Sequence, residues 1–155
     1  MKNLKKVSRK VLISIVIALF MGYFFIKRKR MRGQNNPLNI EYNSNNDWKG
    51  AIRPHNGSRF DNFSDVKYGL RAGRLIIRNY SKRGLDTVAK IIKTWAPPSE
   101  NDTNSYITFV LNAVHVEPSA VIDVLNDNIM FPLMKAMCKM ESNYNLTRTK
   151  YYEII

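Results

Sequence analysis

The stretch Asp127–Glu141, DNIMFPLMKAMCKME, decides how the chain is read. Met130, Leu133, Met134 and Met137 recur at the spacing of one helix face, which predicts a helix beginning near Asp127 with that face toward a core. One turn past Met137 the same face reaches Glu141. At about 100° per residue, Glu141 lies about 20° from Met134 and about 40° from Met137, while Lys135 and Lys139 point away. A carboxylate closing an apolar stripe is partly withdrawn from water, so its pKa rises and its proton is kept nearer neutral pH. A general acid for glycoside cleavage needs that property. A helix-end glutamate that simply reaches water is the plainer alternative.

Upstream, three more helices are expected. Ser64 or Asp65 caps one running to about Tyr80, with Tyr68, Ala72, Leu75, Ile76 and Asn79 on one face and the basic stripe Lys67, Arg71, Arg74, Arg78 solvated on another. Asp86 or Thr87 caps a second, with Val88, Ile91, Ile92 and Trp95 inward, and Pro97-Pro98 stops it. A third runs from about Thr103 to Val114 and turns Tyr106, Ile107, Val110 and Val114 inward. The stretch Glu117 to Asn126 is expected to be a short helical turn. Residues 33 to about 65, rich in Asn, Gly, Pro and Ser, read as loops pinned by Trp48, Phe60 and Phe63.

The formal net charge of +13 is unevenly placed. Residues 1–32 hold ten Lys and Arg and no acid; the remaining 15 basic residues face all 12 acidic ones, leaving +3. Nucleic acid is therefore not the expected partner. Val11 to Ile26 (VLISIVIALFMGYFFI) is uncharged, and its 16 residues would extend roughly 24 Å as a helix. With Lys and Arg on both sides, it reads as a transmembrane helix and the lipid bilayer as a partner. The domains are then a basic tail (1–10), a membrane anchor (11–26), a basic juxtamembrane linker (27–32) and a globular domain (33–155). Localisation would be single-pass, in a virion internal membrane or a bacterial inner membrane. The single cysteine, Cys138, excludes an internal disulfide and reads as a buried thiol. His55 and His115 lack partners at ligand spacing, so no metal or other cofactor is expected.

Several motifs follow in order: Asn35-Asn36-Pro37-Leu38-Asn39-Ile40, Trp48-Lys49-Gly50, Phe60-Asp61-Asn62-Phe63, Tyr68-Gly69-Leu70-Arg71-Ala72 and Trp95-Ala96-Pro97-Pro98-Ser99-Glu100-Asn101-Asp102-Thr103. Over about Gly33 to Glu141 they resemble a phage and prophage family of virion structural proteins of the corticovirus type. Leu38 stands where that family has Gly, and Lys139-Met140-Glu141-Ser142 where it has His-Glu-Asn-Gly. Glu141-Ser142 also resembles the end of the catalytic helix in lysozyme-like transglycosylases and glucosaminidases. There the Glu helix comes first; here it comes last, as a circularly permuted lysozyme-like domain would have it.

The fold expected is mainly α: a small lysozyme-like helical domain with a loop-rich N-terminal part, preceded by one transmembrane helix. The function expected is a membrane-anchored, virion-associated peptidoglycan hydrolase or lytic transglycosylase. Glu141 would be catalytic, with Asn39, Trp48, Tyr68, Glu100 and Tyr106 lining the site for peptidoglycan glycan strands. Glu41 or Asp61, in the loop-rich part, would be a second acid; Asp102, like Glu100 in the loop after Trp95, is either a cleft carboxylate or a cap of the third helix. The alternative is a non-catalytic structural protein that touches other virion proteins and links capsid or genome to an internal membrane.

Overall fold

A polar side chain opens each helix. The computed structural model describes residues 32–99 and 101–155. Within them run α1 (Val66–Lys82), α2 (Val88–Trp95), α3 (Thr103–Val114), α4 (Asp127–Ser142) and α5 (Arg148–Tyr152). Asp65, Thr87, Asp102, Asn126 and Thr147 each accept a hydrogen bond from a first-turn N–H at 2.8–3.2 Å. Each such cap contributes about 1 kcal/mol. His115 and Asn143 close α3 and α4 in the left-handed conformation.

The core forms around α4, which packs chiefly on α3; α3 packs on α2, and α1 touches α2, α4 and α5. Met130, Leu133, Met134 and Met137 are fully buried, as is Cys138, whose thiol burial pushes well up. Such a thiol stays protonated and inert. Pro132 sits inside α4 and removes the N–H that would meet the carbonyl of Asn128.

The loop-rich segment is knotted by Asn36, which has no solvent exposure. Its Nδ2 donates to the carbonyls of Ile40 and Asp61, each at 2.9 Å, and its Oδ1 accepts from the Ile40 N–H at 2.9 Å. The segment then seats on α1 through two glycines. A Cβ at Gly69 would lie 2.4 Å from the Asn35 carbonyl oxygen, and one at Gly73 would lie 2.1 Å from Leu38 Cδ1. Leu38 fills that notch and is fully buried; the left-handed residues of the turn are Asn35 and Asn39, so position 38 has no need of glycine.

Several expectations are corrected. On α1 the buried face is Gly69, Leu70, Ala72, Gly73 and Ile77, while Asn79 is exposed. Arg74 is not solvated: it is 11% exposed, meets Asp127 at 3.3 Å and lies over the Tyr151 ring, whose hydroxyl donates to the same carboxylate. Residues 117–126 are two turns and an extended piece rather than a helical turn. Buried Ile122 and Val124 alternate there with exposed Val121 and Leu125, and Val121 bridges Thr87.

The membrane-spanning part of the fold reading, and with it the single-pass localisation in a virion or bacterial inner membrane, is also overturned. Among the described residues no helix is long and apolar enough to cross a membrane. The longest of them, α1, has 17 residues and carries Lys67, Arg71, Arg74, Arg78 and Lys82. The run Val11–Ile26 on which that expectation rested lies outside the described residues.

Candidate functional site

The last turn of α4 delivers Glu141 to the floor of a cleft of about 900 Å³. The other walls are the end of α2 with Trp95, the start of α3 with Tyr106, the far end of α1 with Ile76 and Tyr80, and the segment carrying Arg32 and Asn39 to Asn43. Tyr80 and Trp95 meet edge to face, centroids 6.4 Å apart, and give the cleft an aromatic wall.

Neutral donors hold the carboxyl group. Tyr106 Oη donates to Glu141 Oε1 at 3.2 Å and lies 3.4 Å from the Met137 carbonyl oxygen. Asn39 Nδ2 donates to the Glu141 carbonyl at 2.8 Å and to Oε2 at 3.3 Å. The Arg32 N–H in turn fixes Asn39 Oδ1 at 2.9 Å. Behind them Ser142 Oγ donates to the Pro37 carbonyl at 2.7 Å, tying the end of α4 to the loop that presents Asn39. Asn39 adopts φ 50°, a conformation asparagine tolerates better than most residues.

Burial raises the Glu141 pKa above the usual carboxylate range; the bonds from Asn39 and Tyr106, the Arg32 charge and the Trp95 indole oppose the rise without cancelling it. Burial also holds the Tyr106 phenol far above its ordinary value, with the Glu141 charge adding to it. Tyr106 is therefore always a donor. The group it faces is a carboxyl that can keep a proton yet still opens to the cleft.

Of the residues expected at the site, Asn39 and Tyr106 meet Glu141. Trp48 and Tyr68 do not. Trp48 is half-buried against the core with its indole N–H unpartnered among the described residues, and the Tyr68 ring stands where a Cβ on Gly50 would collide with it. Tyr68 instead lines a smaller, separate pocket with Lys49, Lys67 and Arg71. Glu100 lies outside the described residues. Among the other carboxylates, Asp61 is fully buried and paired with Arg53 at 2.8 Å, away from the cleft. Glu41 is on the cleft wall but exposed and bonded to Arg59 at 2.6 Å. Asp102 also lines the cleft, with its side chain capping α3. Trp95, Tyr80 and Arg32 were missed as site residues. Trp95 sits on a helical apolar stripe and so reads as core; the WAPPSENDT run was the signal that could have moved it to the cleft.

Among the described residues no group of three or more His, Cys, Asp or Glu is arranged to hold a metal ion. His115 is the left-handed end of α3, and His55 stacks on Tyr42 with centroids 3.7 Å apart.

No family model matches the chain. A relative does, and it is a phage protein. Protein P5 of Pseudoalteromonas phage PM2 is 38% identical over 114 residues, 72% of this chain and 69% of the relative. The chain belongs to the family of that protein.

Proposed function

We propose that this phage protein cleaves the glycan strands of peptidoglycan, with Glu141 as the proton donor. The observation that carries the reading is the Glu141 carboxyl group on the cleft floor, kept protonatable by burial and oriented by Tyr106 and Asn39. The motif order adds to it. In lysozyme-like enzymes an Asn-bearing loop follows the Glu helix; here the loop precedes it, and Asn39 reaches across 102 positions to the same glutamate.

In the reaction Glu141 gives its proton to the glycosidic oxygen as the bond from that oxygen to the anomeric carbon breaks, and the leaving sugar departs as an alcohol. Positive charge then grows on the ring while Glu141 is left as a carboxylate, its charge met by the Tyr106 hydroxyl and Asn39 amide. That carboxylate takes the proton back from whatever attacks the anomeric carbon. Water gives hydrolysis; a hydroxyl of the same sugar gives an anhydro end and a transglycosylase. The aromatic wall of Tyr80 and Trp95 offers apolar faces to sugar rings.

A second reading is a structural virion protein without catalysis, favoured by membership of a phage protein family. The two separate in one assay. The full chain should clear a suspension of purified peptidoglycan, and Glu141→Gln, which removes the transferable proton while nearly keeping the shape, should slow clearing by about 10²–10⁴-fold with an unchanged far-UV spectrum. Mass analysis of the released ends then tells hydrolysis from anhydro-sugar formation. A folded wild-type chain that never clears the suspension leaves the structural reading.

A further inference from the structure

Three cations, Arg32, Arg59 and Lys139, line the cleft. Arg59 is engaged by Glu41 at 2.6 and 3.0 Å, and Asp102 is turned to the start of α3. Arg32 and Lys139 also line the cleft, both exposed, and neither meets a carboxylate at ion-pair distance among the described residues. Arg32 is far from a loose surface cation. Its guanidinium lies 5.4 Å above the Phe60 ring, and its backbone N–H holds the Asn39 amide that touches Glu141. Lys139 leaves α4 two residues before Glu141 and, against the expectation that it points away, lines the same cleft.

We infer that Arg32 and Lys139 are specificity-determining residues that read a carboxylate carried by the glycan strand beside the bond Glu141 attacks. This rests on the glycan-cleaving reading and narrows its substrate to an anionic aminosugar polymer. A neutral sugar offers no countercharge to two cations already placed in the site. A carboxylate on a sugar substituent or its attached peptide does, and the Arg32 fork can take it by two parallel bonds. Because the Arg32 main chain and the Asn39 amide are one unit, the anion lands in register with the proton donor.

The test compares three solids: native peptidoglycan, the same material with its carboxyl groups converted to neutral amides, and neutral chitin. Binding is read first, by co-sedimentation of the full-length Glu141→Gln chain, so that no chemistry is needed. Native peptidoglycan should retain the protein about tenfold more tightly than either neutral solid, the order expected for one charge-assisted contact. Adding Arg32→Gln and Lys139→Gln should erase that preference. Adding Lys67→Gln and Arg71→Gln, which removes two charges from the separate pocket, should leave it intact.

With Glu141 restored, the Arg32→Gln, Lys139→Gln chain should raise KM on native peptidoglycan about tenfold and leave KM on the amidated material nearly unchanged. Equal retention on native and amidated material overturns the inference, as does an equal loss in the Lys67, Arg71 control. Charge-dependent retention through Arg32 and Lys139 without any cleavage upholds the recognition and overturns the catalytic reading instead.

Discussion

Two carboxylates withdrawn from water lie in different parts of this molecule and are handled in opposite ways. Asp61, in the loop knot, has no solvent exposure and a full cation, Arg53, at 2.8 Å; its Oδ2 has no hydrogen-bond partner among the described residues. Glu141, at the helix end, is touched by a phenol and an amide, and Arg32 acts on it only through space. Asp61 is met by a cation in contact, whereas the neutral donors on Glu141 do not cancel the rise in pKa that burial gives it. One acid is spent on an ion pair that ties the loop; the other faces a cleft.

The largest expected effect tests the structural side. Arg53→Met leaves Asp61 buried and unpaired, which should cost about 2–3 kcal/mol, below the value for a wholly buried pair because Arg53 is one-third exposed. Denaturant unfolding measures it. A cost under about 0.5 kcal/mol would remove the contrast between the two acids.

A smaller effect tests the other side through pH. The folded-state pKa of Glu141 lies above its unfolded value. Its contribution to stability is then fully present below the unfolded value and is lost as pH rises through the folded one. Glu141→Gln has no charge to bury, so its melting temperature should match wild type in acid and exceed it on the alkaline side of that window. A constant difference across the range would show that Glu141 carries no raised pKa. Activity that needs the protonated acid should fall through the same window.

The smallest effect sharpens the comparison. Tyr106→Phe removes a donor that favours the charged carboxylate, so the alkaline fall in activity should move to higher pH. Stability should drop by about 0.5–1.5 kcal/mol. An unshifted pH profile would mean that the Tyr106 contact does not form in solution.

Much of the helical half was legible because its punctuation is local. Asp102 before α3, Pro97-Pro98 after α2 and the methionine stripe of α4 each act within a few residues. The α1 face was misread because Gly69 and Gly73 carry no hydrophobic signal; what they contribute is room, visible only once Asn35 and Leu38 are laid against them. The stretch 117–126 was misread because turns at Glu117 and Asp123 let it alternate like a strand. At the site, Glu141 could be placed from its own helix, and Asn39 and Tyr106 came from motif and stripe. Trp48 and Tyr68 went astray because an aromatic in a loop reveals that it packs and not where.

The bond from Asn39 to Glu141 joins positions 102 apart. Closing so long a span costs chain entropy that only the surrounding packing repays, so this contact belongs late in folding. During synthesis the loop and the aromatic wall emerge long before the glutamate does. The core forms around α4 as well, so the cleft and its carboxyl group are completed together, once α4 is made.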